Sequence, residues 1–128
     1  MTGECMSALY AFFSGFGIPA YGEGEVPLYD ESGREIRPPY ITVQLIAPDW
    51  RGARPFYARL WYRSRTYAEI NAKADEIAEA IGEGASVTTA HGCVVINRDD
   101  NFLQYQPQAG DETLKCAYLS MVLQNCTG

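Results

Sequence analysis

Apolar and polar positions along this chain switch between two periods. Residues 66–81, TYAEINAKADEIAEAI, place Ile70, Ala74, Ile77, Ala78 and Ile81 at the spacing that lines up one helix face. Glu69, Lys73, Glu76, Glu79 and Glu83 fall mainly elsewhere and can stay wet. Thr66 followed by Glu69 forms the capping-box pattern, in which the hydroxyl accepts a free backbone N–H and the carboxylate reaches back to the cap. Gly82 and Gly84 end the run, since glycine accepts the left-handed conformation of a helix C-cap. The apolar stripe is narrow, with alanines between isoleucines, and suits close approach to a sheet. A shorter amphipathic helix is predicted over 4–16, ECMSALYAFFSGF, with Leu9, Phe12, Phe13 and Phe16 on one side.

Elsewhere the period is two. YITVQLIA, 40–47, alternates Ile41, Val43 and Leu45 against Thr42 and Gln44, a strand with one buried face. FYARLWYRS, 56–64, sets Ala58, Leu60 and Tyr62 on one face and Tyr57, Arg59, Trp61 and Arg63 on the other. SVTTA and CVVIN flank His91-Gly92 and read as a hairpin. A turn at 98–101 leads to a strand at FLQYQPQ, and Gly110-Asp111 turns the chain again. In TLKCAYLSMVLQN, Ala117, Leu119, Met121 and Leu123 share one face and Tyr118 and Val122 the other; a strand apolar on both faces is central or part of an interface. Over 20–39 no period holds, and a turn near Glu31-Ser32-Gly33 suggests a loose hairpin or a mobile arm. The order helix, arm, two strands, helix and about four strands predicts one α+β domain over 1–128. It would be a largely antiparallel or mixed β-sheet with two helices packed on one face. The stripe of 70–81 is expected against Ile41, Val43, Leu45 and Leu60.

Composition narrows the function. A chain of 128 residues, 47% apolar and 20% charged, is large enough for one real core. No apolar run approaches the ~20 residues that span a bilayer. The start, MTGECMSALYAFF, lacks the basic region of a signal peptide. A net charge of −6 argues against wholesale binding to nucleic acid. Cys5, Cys93, Cys116 and Cys126 include no C-x-x-C pair, so a zinc site is not expected. Reduced thiols in a cytoplasmic chain are the default, and Cys116 and Cys126 fall at opposite ends of one strand, too far apart to join. His91, the single histidine, sits in a turn with no nucleophile elbow nearby. GEGEV at 22–26 lacks the Lys-Ser/Thr of a phosphate loop, and Asp99-Asp100 lacks the spacing of a calcium loop. No catalytic, cofactor-binding or metal-ligating residue is assigned, and a non-enzymatic role is expected.

The unusual feature is the face carrying Tyr57, Arg59, Trp61 and Arg63, preceded by Trp50, Arg51 and Arg54. An ordinary solvent face would hold Thr, Lys and Glu, whereas interfaces enrich Arg and Trp. Three readings stay open: Trp61 covered within its own chain, a protein interface, or a nucleic-acid-binding module stacking bases along 50–65. Charge is unevenly spread: 23–35 holds five acids and one Arg, and 51–65 holds five Arg and no acid. Glu23, Glu25, Asp30 and Glu31 are therefore candidate counterparts of the basic segment on a neighbouring subunit. Opposite signs on different surfaces suit a head-to-tail contact that closes as a ring.

GIPAY…VP at 17–27, PPYITVQL, and RLWYRSRTYAEINAKADEIAEAIG together resemble small prophage-encoded proteins of the tail-morphogenesis region, the tail-terminator (tail-completion) and neck proteins of long-tailed phages. The resemblance covers most of the chain as a pattern of elements. It implies a small α+β subunit that assembles as a hexameric ring at the end of the tail tube and meets tube and head-connector proteins. It implies a place in the host cytoplasm during assembly and then in the virion. It implies no catalytic motif, no cofactor and no membrane contact, and nucleic acid only as DNA passing through.

Overall fold

The computed structural model describes residues 2–45, 54–89 and 92–125, with side chains at 6–44, 54–89 and 92–124. Helix α1 (Thr2–Phe13) runs into a 3-10 turn at Ser14–Phe16. Strands β1 (Ala20–Gly22), β2 (Tyr40–Leu45) and β3 (Arg54–Arg63) come next, then helix α2 (Ala68–Ile81). Strands β4 (Ala85–Thr89), β5 (Gly92–Tyr105) and β6 (Leu114–Asn125) follow. The strands form one six-stranded sheet in the order β1-β2-β3-β6-β5-β4. β1 runs parallel to β2, and the other neighbours are antiparallel. The fold is α+β with a mixed sheet, as the element order predicts. No described helix is long and apolar enough to cross a membrane.

The register explains why β6 is apolar on both faces: it lies between β3 and β5. Phe56 stands opposite Met121, Ala58 opposite Leu119 and Leu60 opposite Ala117, all on the helix side and all fully buried. Leu9, Phe13, Ile41, Ile70, Ile77 and Ile81 complete this core. Each such side chain contributes about 1.5–3 kcal/mol on leaving water. α1 touches β1, β2 and β4, so the sheet curls around it until both edges meet the same helix. α2 lies against β3, β5 and β6. This shifts the expected partner of the 70–81 stripe. Ile41, Val43 and Leu60 are buried as predicted, but α1 already covers β2, and α2 takes the centre of the sheet. The side chain of Leu45 lies outside the described residues.

Other local expectations change too. α2 begins at Ala68, with Tyr67 as the capping residue and no side-chain cap. Thr66 Oγ1 still accepts the Ala68 N–H at 3.3 Å, but one residue too early for the reciprocal box. Ser64 Oγ in turn accepts the Thr66 N–H, so a chain of hydroxyl turns leads into the helix. The turn expected at 98–101 is instead a bulge inside β5: Arg98 pairs with Met121, and pairing resumes at Leu103 opposite Leu119. Asp99, Asp100 and Asn101 are exposed there, which lets polar residues sit in a strand without entering the core. The strands after α2 therefore number three rather than four. The arm is ordered over 28–36 as a small hairpin, and its approach contributes β1, which no period announced. Cys116 is a free, buried thiol, but Cys93 is disulfide-bonded, so the expectation of reduced thiols fails at Cys93. Strand periodicity carries no information about which cysteines meet. His91 and Cys126 lie outside the described residues.

Candidate functional site

The sheet face away from the helices carries Tyr40 and Thr42 from β2, Tyr57, Arg59, Trp61 and Arg63 from β3, and Cys116, Tyr118 and Ser120 from β6. Strand alternation puts them there, because each is out of phase with a buried apolar neighbour. Arg59, Trp61, Arg63 and Tyr118 find partners for their polar groups within the chain. Arg59 Nη1 pairs with Glu23 Oε1 at 3.0 Å, and its Nε donates to Gln106 Oε1 at 3.1 Å. The Trp61 indole N–H donates to Thr42 Oγ1 at 3.0 Å, and its ring lies beside Tyr40. Tyr118 Oη donates to Gln104 Oε1 at 2.7 Å, and its ring meets Tyr57 edge to face. Arg63 donates to Asp111 Oδ2 at 2.7 Å and to Thr113 Oγ1 at 3.0 Å.

Two flanking segments close over this face. Glu23, just past β1, comes in from one side, and 104–113, from the end of β5 through its connection to β6, from the other. The result is electrostatic as well as steric. Burial pushes the Cys116 thiol up to about 12, because a thiolate there would lose its water, with Arg59 partly offsetting and Glu23 adding to the rise. Hydrogen bonds from Arg63 and Thr113 hold Asp111 down at about 2. Burial, then Glu23, raises Tyr40. Glu23 Oε2 is buried without a hydrogen-bond partner among the described residues.

The predicted interface residues separate accordingly. Tyr57, Arg59 and Trp61 are half-buried, and Arg63 is exposed but paired. Arg54 is 2% exposed and in phase with Phe56 and Ala58, on the helix side of β3, so it offers no surface. That phase was readable in the alternation of β3. Trp50 and Arg51 lie outside the described residues. Glu23 meets Arg59 of its own chain. Glu25 lies near Tyr10 and raises its pKa, second to burial.

Asp30 and Glu31 belong to the hairpin. Asp30 Oδ1 accepts from Ser32 N, Ser32 Oγ and Arg34 N within 2.7–2.9 Å. These hydrogen bonds, Ser32 first, lower the Asp30 pKa. Backbone bonds from Asp30 N to Arg34 O and from Ile36 N to Leu28 O close the hairpin. Gly33 takes the turn position at φ 84°, which a side chain rarely adopts. Sequence reasoning missed what this hairpin displays: Leu28 is 78% and Tyr29 62% exposed. It also missed a cavity of about 460 Å³ beyond the outer face, lined by Arg65, Tyr67, Pro107, Gln108, Asp111, Glu112, Thr113, Leu114 and Lys115. Fold topology alone brings these residues together, from the lead-in to α2, the β5–β6 connection and the start of β6.

Comparison with known proteins adds no relative: no family model, no curated protein and no solved structure matches the chain.

Proposed function

We propose that this chain is a structural phage or prophage virion protein, a tail-terminator or neck subunit that forms a ring ending the tail tube and docking the head connector. The observation that carries the reading is the hairpin at 28–36. It is fixed by its own hydrogen bonds yet holds Leu28 and Tyr29 out in water. An ordered projection with apolar residues at its base is a contact element, since exposed apolar surface costs free energy until a partner covers it. The α+β architecture fits the small subunit that the resemblance implies. Nucleic-acid binding through 50–65 is the rival reading, and it is weaker, because Arg59 and Arg63 are committed to Glu23, Gln106, Asp111 and Thr113.

The test is mass in solution and on the tube. Size-exclusion chromatography with light scattering should give a mass that rises with concentration toward a closed ring, and added tail-tube ends should be capped by it. A chain that stays monomeric at its highest soluble concentration and ignores tube ends overturns the proposal. A shift in DNA mobility at low salt, falling steeply as salt rises, would support the rival instead.

A further inference from the structure

We infer that the hairpin at 28–36 of one copy docks into the cavity beside Tyr67 and Leu114 of a second copy. Leu28 and Tyr29 would fill it, and Asp30 and Glu31 would face Arg65 and Lys115. This rests on the self-associating reading above and names the two surfaces that meet.

Three large apolar side chains are strongly exposed among the described residues: Leu28, Tyr29 and Tyr105. Two form the knob. The third stands at the cavity, where its ring lies 4.2 Å from that of Tyr67, which lines it. Tyr105 Oη donates to Asn71 Oδ1 at 2.6 Å, so this aromatic wall is held in place by α2. The rest of the lining includes apolar Pro107 and Leu114 and cationic Arg65 and Lys115, beside polar and acidic groups of 108–113. Arg65 is exposed and makes no ion pair among the described residues, and Lys115 sits over the Tyr67 ring. Of the two acids there, Asp111 is already neutralised by Arg63. A volume of about 460 Å³ is within the range of pockets that enclose a small ligand and takes one or two side chains.

The knob is opposite in sign to the cations of the cavity. Glu31 is exposed at its tip, and Asp30 keeps Oδ2 outside the turn bonds. Because the hairpin is ordered before contact, little conformational entropy remains to be lost on docking. Knob and socket share no residue. A copy that offers its knob keeps its socket open for the next copy, which is the head-to-tail contact that builds rings.

The experiment uses two variants of the full chain. The knob variant is Leu28→Ser with Tyr29→Ser, and the socket variant is Arg65→Glu with Leu114→Ser. Circular dichroism and thermal melts confirm that each folds, and Arg65→Glu alone, at an exposed position, stands in if Leu114→Ser does not. Light scattering of the wild type, each variant and their equimolar mixture gives the answer. Each variant alone should associate about 30-fold or more weaker than wild type. The mixture should stop at dimers, because one intact knob meets one intact socket. Variants that assemble like wild type overturn the docking while leaving self-association standing. A monomeric wild type overturns both. Variants that fail alone but form no dimer when mixed show two separate contacts and also overturn it. Glu31→Arg should weaken association, and Arg65→Glu in the partner should restore it; a small anion such as phosphate competing for the wild-type cavity without affecting assembly would assign the cavity to a ligand instead.

Discussion

The outer face of β2, β3 and β6 and the hairpin at 28–36 carry the same kinds of side chain, aromatic rings beside charges. They differ in what those groups already hold. On the outer face each arginine and the Trp61 indole N–H has a partner in its own chain, from Glu23, Gln106, Thr42, Asp111 and Thr113. On the hairpin the hydrogen bonds close the turn, and the apolar side chains at its base touch little. The lesson is that an Arg- and Trp-rich strand reports polar surface taken out of water, not who supplies the partners. Residue type raised the outer face as an interface, and the partners its arginines and Trp61 hold within the chain are why the proposed contact is sought at the hairpin instead.

The largest effect that can break this comparison is at Cys116. If the outer face is closed, its thiol stays protonated. With a pKa of about 12, the thiolate fraction at pH 8 is on the order of 10⁻⁴, and the sulfur is fully buried. Iodoacetamide labelling read by peptide mass spectrometry should leave Cys116 unmodified in the native protein and modify it in denaturant. Rapid native labelling would mean that Gln106 and Glu23 do not cover this face.

Next comes Arg59→Ala. It removes the cation from a partly buried pair and leaves Glu23, whose Oε2 already lacks a partner, to be desolvated alone. The expected loss is about 2–4 kcal/mol in urea unfolding, with association per folded subunit unchanged. The opposite result, normal stability with lost association, would return the outer face to the interface.

These pairs also mark the limit of what the amino-acid order discloses. β3 and β6 were legible because apolar residues alternate along one face of each, and α2 because three isoleucines repeat at helical spacing. Arg54 was legible in principle, since it continues the buried phase of Phe56, Ala58 and Leu60. Asp99 and Asp100 misled, because turn-forming residues can equally sit in a bulge when the strand has solvent beside it. Thr66 misled by one residue, since several hydroxyls compete for the first free N–H groups. Three-residue β1 is too short to show a period, and its parallel pairing with β2 depends on where the arm returns. Arg59–Glu23 and Arg63–Asp111 join segments distant in sequence, and no local pattern encodes them. The cavity at Tyr67 and Leu114 is likewise a product of topology.

The smallest effect concerns Asp111, where outer face and cavity touch. Its carboxylate accepts from Arg63 and also lines the cavity. Its folded pKa of about 2 lies below the ordinary 3.8, so the Arg63–Asp111 contribution is present in full above 3.8 and is lost as pH falls through 2. The Asp30 pKa is lowered too, by its turn hydrogen bonds, so wild type alone cannot isolate the contact. Melting temperatures of wild type and Asp111→Asn separate them: a small gap at neutral pH should close between about pH 4 and 2. At the same time Arg63 loses its partner near the cavity, adding positive charge beside Arg65 and Lys115. If the hairpin of a second copy docks there, Asp111→Asn at neutral pH should strengthen association slightly through Asp30 and Glu31, and high salt should erase the gain. Unchanged association in Asp111→Asn, together with a melting gap that closes as described, would confine Asp111 to the outer face and separate that face cleanly from the docking surface.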